Sequence, residues 1–157
     1  MKSKVRFSAF ATAITAAVFG LLFIGCIATV HDERVFFILL PLYLMLIICG
    51  CLCGPAYIKA DGDNLVMGSL LRSRKIPVGK IERVELFQPT MGAVRIFASG
   101  GFMGYWGIFR EGDIGKYYAF YGKSSDCFLV RMKNGDKYVL GCENPGGMVE
   151  YIKSQMR

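Results

Sequence analysis

A chain of 157 residues can hold one ordinary domain, or a membrane anchor followed by a small domain. Hydrophobic residues make up 54% of the chain and the mean hydropathy is +0.40, and the apolar excess lies in the first 58 residues. The formal net charge is +7, and no basic run is interleaved with aromatic residues. The charge therefore indicates an anionic membrane surface rather than nucleic acid as the partner.

Two uncharged runs dominate the amino-terminal third of the chain. They cover residues 7–30 and 35–58, and only His31-Asp32-Glu33-Arg34 separates them. Each run would form a helix about 36 Å long, whereas the hydrocarbon layer of a bilayer is about 30 Å thick. We therefore predict a transmembrane helical hairpin in residues 1–58, with spans at about 7–30 and 35–56, followed by a separate domain in residues 57–157.

The first run has an alternative interpretation as a signal peptide. Phe23-Ile24-Gly25-Cys26 resembles the lipobox of lipoproteins, in which Cys26 would be the lipidated residue. The run continues to Val30 without a polar mature start, and the second run follows closely. These two features favour a retained helix over a cleaved signal.

Charged residues flank the two runs unevenly. The link between the runs has a net charge of −1, whereas basic residues precede the first run and follow the second. These basic residues are Lys2, Lys4, Arg6, Lys59, Arg72, Arg74 and Lys75. Because positively charged flanks tend to stay in the cytoplasm, we predict a multi-pass protein with both termini cytoplasmic.

Small residues recur at four-residue spacing in both runs, and such spacing lets helix backbones approach closely. In one interpretation they pack the hairpin on itself, and in the other they join two copies of the chain. The candidate packing positions are Ala13, Ala17, Gly20, Gly50 and Gly54.

Residue types that carry catalysis or bind metals are sparse. The six cysteines lack the spacing of a disulfide framework or a zinc site, and on a helix Cys51 points away from Cys49 and Cys53. The single histidine, His31, lies in the link between the runs, and no nucleotide-binding or hydrolase motif occurs. We expect no enzymatic activity, no cofactor, no metal and no small-molecule substrate.

The remaining residues alternate short apolar segments with turn signals, which predicts strands. Asp61-Gly62-Asp63-Asn64 and Asn134-Gly135 are the clearest hairpin turns. Asn144 and Pro145 suit the start of a helix, and an apolar stripe predicts that it runs to about residue 156. The predicted strands are 56–60, 65–70, 74–78, 81–88, 93–98, 108–110, 116–121, 127–133 and 137–141.

Three stretches, 57–66, 75–84 and 95–107, and the ending Glu143-Asn144-Pro145 ahead of the helix are spread along most of the length of the predicted domain. In these stretches the chain resembles the bacterial pleckstrin-homology-like (PH-like) membrane proteins. The most distinctive match is the glycine-aromatic segment, Gly100-Gly101-Phe102-Met103-Gly104-Tyr105-Trp106-Gly107.

The resemblance implies a seven-stranded bent sheet or partly open barrel, capped by one C-terminal helix and anchored in a bacterial inner membrane. It implies neither catalysis nor a cofactor. PH domains often bind phosphoinositides through basic residues of the first hairpin loop. The corresponding loop here is Asp61-Gly62-Asp63-Asn64, which would repel a phosphate.

Two surfaces remain as candidates for function. The glycine-aromatic segment is an interfacial or partner-binding loop in one interpretation, because Trp and Tyr favour the headgroup level of a bilayer. In the other interpretation its glycines permit tight turns and its aromatic side chains fill the core. The candidate loop residues are Gly100, Gly101, Phe102, Gly104, Tyr105 and Trp106, and the candidate contacts for anionic lipid are Arg72, Arg74, Lys75 and Lys80.

These features lead to two functional hypotheses. In the first, the domain is a membrane-held module that contacts another membrane protein or a second copy of the chain. In the second, the basic cluster binds or senses anionic lipid headgroups at the inner leaflet.

Overall fold

A computed structural model describes residues 1–90, 92–112 and 114–156, and it begins with two long apolar helices. Helix α1 is Ala9–Ala28 and helix α2 is Glu33–Cys53, and both have the length and composition of membrane spans. The side chain of Ser8 caps α1, so that helix begins two residues later than predicted. Asp32 caps α2, which therefore already includes Glu33 and Arg34 from the predicted link.

A short strand, β1 (Lys2–Lys4), precedes α1 and was not predicted from the sequence. It pairs antiparallel with β2 (Tyr57–Asp61), with Ser3 opposite Ile58. The amino-terminal ammonium group also donates a hydrogen bond to the carbonyl of Ala60, at 2.6 Å. The amino terminus and the β domain therefore lie at the same end of the helical hairpin.

The first sheet has four strands in the order β1-β2-β3-β4. Strand β3 is Asn64–Gly68 and strand β4 is Ser73–Pro77, and every pairing is antiparallel. The predicted turn at residues 61–64 joins β2 to β3. A short 3-10 turn at Val78–Lys80 leads from β4 to the second sheet.

The second sheet has six strands, in the order β5-β9-β10-β8-β7-β6. Only the β10–β8 pairing is parallel, and the predicted Asn134-Gly135 turn joins β9 to β10. The strands are β5 (Ile81–Leu86), β6 (Val94–Gly101), β7 (Gly104–Glu111), β8 (Gly115–Tyr121), β9 (Cys127–Met132) and β10 (Lys137–Gly141).

The described residues form two sheets that do not close into a barrel, which agrees with the expected bent or partly open sheet, but they contain ten strands rather than seven. One additional strand is β1. It was not predicted because two of its three residues are lysines, which are uncommon in strands. The glycine-aromatic segment also lies mostly in strands β6 and β7, which are longer than the predicted 93–98 and 108–110.

The main core lies between the sheets and under helix α3 (Pro145–Gln155). Asn144 caps this helix by accepting a hydrogen bond from the Gly147 N–H at 3.0 Å, as the sequence predicted. Met148, Val149 and Ile152 are buried on its inner face. A second apolar cluster lies on the other face of the six-stranded sheet and includes Phe109, Tyr117, Ala119, Tyr121, Leu129 and Val139.

Candidate functional site

The turn between β6 and β7 contacts the helical hairpin of α1 and α2. We call Gly101, Phe102, Met103 and Gly104 the hairpin tip. Among the described non-glycine residues Met103 alone has a positive φ, of 51°, so the tip is a tight turn. The ring of Phe102 lies 5.4 Å from that of Phe19 in α1, in edge-to-face geometry.

Thr15 of α1 binds the backbone of the hairpin tip. Its hydroxyl accepts a hydrogen bond from the Met103 N–H at 2.8 Å. The same hydroxyl has two carbonyl acceptors within reach, Gly101 at 3.3 Å and Ala11 of its own helix at 2.7 Å. A single side chain therefore joins the β domain to the second turn of α1.

Gly50 of α2 and Gly54, which follows the end of that helix, lie against the hairpin tip, whereas helix-to-helix packing was predicted for them. A Cβ atom at Gly50 would lie 2.9 Å from Cγ of Met103, and one at Gly54 would lie 3.2 Å from the Met103 carbonyl oxygen. The missing side chains thus make room for Met103. The four-residue spacing of small residues correctly predicts that another part of the protein approaches these glycines closely. The spacing does not identify that part as Met103 of the β domain.

The other three predicted packing residues lie outside the contact between α1 and α2. Ala13 and Ala17 are exposed, and nothing lies within 4 Å of a Cβ built on Gly20. The two helices meet instead through the rings of Phe19 and Tyr43, 6.1 Å apart, and where Leu39 packs beside Gly25. Contact with a second copy stays a prediction for Ala13, Ala17 and Gly20.

The glycine-aromatic segment is not the loop that one interpretation required. Gly100 and Gly101 end β6, while Gly104, Tyr105 and Trp106 begin β7. The ring of Tyr105 stacks on that of Tyr121 at 4.9 Å, and the indole N–H of Trp106 donates to the Phe102 carbonyl at 3.2 Å. The segment is a strand hairpin fixed by its own aromatic packing and by its contacts with α1 and α2, and its interfacial role stays a prediction.

The predicted basic cluster divides between two ends of the domain. Arg72 and Arg74 lie near the end of α2, whereas Lys80 follows Pro77, which pairs with Asn64 at the far hairpin turn. Lys75 alternates with Arg74 along β4 and therefore projects from the opposite face. The four residues are close in sequence, which suggested one cluster, but β4 runs away from the end of α2 and separates them.

Arg72 and Arg74 line a cavity of about 80 Å³ at the junction of α2 and the β domain, here called the junction pocket. The guanidinium of Arg74 lies 5.6 Å from the ring centre of Tyr118. Burial raises the pKa of Tyr118, and the two arginines oppose that effect. The remaining lining residues are Leu52, Cys53, Met67, Ser69 and Phe120.

The loop beside the junction pocket carries two exposed leucines. Leu70 and Leu71 are 67% and 68% exposed, and the Leu71 N–H donates to the Cys51 carbonyl of α2 at 3.1 Å. Exposed apolar side chains next to the end of a candidate membrane span suit the interfacial region of a bilayer. The sequence reasoning missed this loop because Leu70 was assigned to a strand.

The unpaired edge of β6 is the most apolar exposed strand surface among the described residues. Val94, Ile96 and Phe97 are 64%, 53% and 80% exposed. We call the outward side of residues 94–100 the β6 edge. Sequence reasoning predicted the strand and missed its exposure, because a run of apolar residues is equally typical of a buried strand.

Natural edge strands are usually protected by a charge or a bulge. Strand β6 has a bulge between Arg95 and Phe97, but the guanidinium of Arg95 lies back over Gly100 instead of projecting from the edge. From Phe97 to Gly101 the pairing with β7 is regular. The β6 edge is therefore only partly protected.

The buried polar groups of the second cluster have a structural role in this arrangement. Glu111 accepts hydrogen bonds from the N–H and hydroxyl of Thr90, at 3.0 and 2.6 Å, and fixes the connection that leads to β6. Burial and the Glu111 carboxylate raise the pKa of Tyr117. Within the described ranges no group of three His, Cys, Asp or Glu is placed to hold a metal ion.

Comparison with known proteins gives one match. The family model described as Bacterial PH domain matches residues 57–156, which span from β2 to the end of α3. No curated protein and no solved structure matches the chain. The matched region holds the junction pocket except for its two α2 residues, together with the hairpin tip and the β6 edge.

Proposed function

Because the chain belongs to the bacterial PH domain family and carries two candidate membrane spans, we propose that it is a non-enzymatic module for protein contacts, held at a membrane. We place it in the bacterial inner membrane with both termini in the cytoplasm, as the flanking basic residues favour. Its partner is another protein, or a second copy joined through the membrane helices.

The exposed β6 edge is the observation that carries this proposal. Phe97 is 80% exposed and belongs to a strand whose outward side pairs with no other described strand. A folded domain gains nothing by leaving such a surface to water, whereas strand addition and apolar contact are common modes of partner recognition. The hairpin tip holds the same strand against the membrane helices, so a protein bound there would be held at the membrane.

Photochemical cross-linking in intact membranes tests the proposed function. A photoreactive phenylalanine analogue at position 97 should give a protein adduct, while the same analogue at the exposed position 153 of α3 should give none. The control position shares the membrane anchor and the expression level of the chain. Equal labelling at both positions, or no adduct at 97, would contradict the proposal.

A second candidate function is contact with an anionic lipid headgroup, and the junction pocket favours it. Two arginines, the Ser69 hydroxyl and the exposed Leu70-Leu71 loop lie together at the end of α2. Guanidinium groups bind phosphate well, and each cation near an anionic leaflet contributes about 1 kcal/mol. We assign this contact to Arg72 and Arg74, because both line the junction pocket.

The divided basic cluster supplies a matched control for the lipid hypothesis. In detergent with added phosphatidylglycerol, native mass spectrometry should show that R72Q/R74Q weakens lipid binding by about tenfold or more. The variant K75Q/K80Q removes the same charge from the other face and the far end, and should change binding by less than about twofold. Equal losses in the two variants would mean that net charge alone attracts the lipid.

A further inference from the structure

We propose that the β domain itself enters the hydrocarbon layer of the membrane, through the hairpin tip and the Leu70-Leu71 loop. The partner of these two turns is the acyl-chain region of the leaflet nearest the domain. The inference rests on the proposed function only in taking α1 and α2 as membrane spans. It is carried by the depth at which the turns meet the helices, by the hydrogen bonds of the tip, and by the charges beside both turns.

The hairpin tip meets α1 inside the length that a membrane span requires. Helix α1 has 20 residues and is therefore about 30 Å long, which equals the thickness of the hydrocarbon layer. Thr15 and Phe19 contact the tip, and they lie about 9 and 15 Å along the helix from its start at Ala9. Because helical side chains lean toward the amino terminus, the tip lies roughly 5–10 Å inside the layer. A span of this length cannot cross the layer unless the tip enters it.

Helix α2 gives the same result for both turns. It has 21 residues and ends at Cys53, so it has no turn to spare either. Met103 packs beside Gly50, and the Leu71 N–H donates to the Cys51 carbonyl at 3.1 Å. These contacts lie about 3–5 Å inside the end of the helix. The exposed side chains of the Leu70-Leu71 loop therefore lie at the level of the first acyl carbons.

The polar backbone groups of the tip are bonded in the way that lipid demands. A turn in the hydrocarbon layer needs internal partners for these groups, because no water is present to bond them. The Met103 N–H donates to the Thr15 hydroxyl at 2.8 Å. The Phe102 carbonyl accepts from the Ser99 hydroxyl at 2.8 Å and from the Trp106 indole N–H at 3.2 Å. Side chains thus satisfy groups that a turn in water leaves to the solvent.

Three arginines lie just beyond the two apolar turns. Arg72 and Arg74 line the junction pocket at the end of α2, and the Arg95 guanidinium lies against Gly100, one residue before the tip. The tip and the two leucines carry no charge. Anionic headgroups lie directly above the acyl chains of a leaflet, so cations beyond apolar turns match a leaflet that is entered to a shallow depth.

Quenching of tryptophan emission by brominated lipid tests the depth of the tip. Trp106 is the single tryptophan and bonds to the Phe102 carbonyl, so it reports the position of the tip. In nanodiscs whose phospholipids carry bromine on their acyl chains, its emission should fall by about twofold or more relative to unbrominated lipid. The control W106F/K80W moves the tryptophan to the exposed far end of the domain, and should lose less than about a tenth. Equal losses in the two proteins would overturn the inference.

The Leu70-Leu71 loop is tested with W106F/L70W, which puts the tryptophan at an exposed leucine. Its emission should also fall by about twofold or more in brominated lipid. Iodide in the buffer should quench W106F/K80W strongly and W106F/L70W weakly, because iodide stays in water. Quenching of W106F/L70W by iodide but not by brominated lipid would show the loop in water, and would overturn the inference of two insertion points.

A third position separates failure of this inference from failure of the proposed function. W106F/M45W puts the tryptophan at an exposed position in the middle of α2, where brominated chains should quench it. Quenching there but not at Trp106 or in W106F/L70W would overturn the inference and leave a module held at the membrane by its helices. Absence of quenching in W106F/M45W would overturn the membrane placement on which both proposals rest.

Discussion

At the residue scale, the hydroxyl of Thr15 links α1 to the β domain. It accepts from the Met103 amide and lies within reach of two carbonyls, one on each side of the junction. Thr12, one turn earlier in the same helix, bonds only to the Ser8 carbonyl among the described residues. The two threonines lie in the same helix, but only Thr15 bonds to the β domain. Thr12 is therefore a matched control for Thr15.

Replacing Thr15 tests this junction. T15V should lower the free energy of unfolding by about 1–3 kcal/mol, because the Met103 N–H is left without a partner in a partly buried site. T12V should cost less than about 0.5 kcal/mol, since it breaks a hydrogen bond only within α1. Thermal unfolding in nanodiscs, followed by Trp106 fluorescence, measures both, and similar losses would contradict the assigned role of Thr15.

Two buried tyrosines, Tyr117 and Tyr121, and the partly buried Tyr118 predict a loss of stability at high pH. Burial is the main cause that raises the pKa of Tyr117, Tyr118 and Tyr121, and the Glu111 carboxylate adds to the shift at Tyr117. A pKa that is higher in the folded chain gives stability that is fully present below the unfolded value, near 10. That stability is lost as pH rises through the folded values.

Ultraviolet titration of phenolate absorbance measures this effect. Of the eight tyrosines, three should ionise only above the ordinary range or together with unfolding. Y117F should remove one of the tyrosines that ionise above the ordinary range and leave the ionisation of the other two unchanged. Simple titration of all eight near the ordinary pKa would show that these side chains are open to water.

At the scale of elements, the hairpin tip joins the β domain to both α1 and α2. The hairpin tip enters the space left by Gly50 and Gly54, and strand β6 continues from the tip to the exposed edge. One strand thus connects the two apolar helices to the proposed partner surface.

Two glycines in the membrane helices test this contact. G50L should displace Met103, lower the free energy of unfolding by about 1–3 kcal/mol and shift the emission of Trp106, the single tryptophan. G20L makes the same substitution where nothing lies within 4 Å, and should leave both measurements near those of the parent chain. Equal effects at the two positions would mean that the tip does not depend on Gly50.

At the scale of the whole molecule, both ends of the chain belong to one side of the helical hairpin. Strand β1 pairs with β2, and the Glu143 N–H, just before α3, donates to the Lys4 carbonyl at 2.9 Å. The link near His31 lies at the other end of both helices. If α1 and α2 cross a membrane, the amino terminus and the β domain therefore share a compartment.

Cysteine labelling of intact cells tests this arrangement. An impermeant maleimide should label H31C from outside, and should label K2C and K153C only after the membrane is disrupted. The parent chain serves as the control, because its six cysteines are buried or lie half-covered in α2. Labelling of K2C and K153C from opposite sides would contradict the single-sided arrangement, and cleavage at Cys26 would favour the lipoprotein alternative.

The sequence alone determined the features that depend on neighbouring residues. The length of the two uncharged runs located α1 and α2. The Asn134-Gly135 pair located a hairpin turn, and Asn144, as a helix-capping residue, located the start of α3. The PH-like fold that the resemblance implied is confirmed by the family match over residues 57–156. These signals are local, because hydrophobic period, turn chemistry and capping each act within a few residues.

The tertiary structure alone decided which distant residues meet. It paired Lys2–Lys4 with β2, placed Met103 between the glycines of α2, and separated Lys80 from Arg72 and Arg74. It also left β6 at the edge of its sheet, a property that depends on strand order and not on the strand's own residues. Contacts of this kind join residues far apart in the chain, and a single sequence encodes them through packing of the whole molecule rather than through any local pattern.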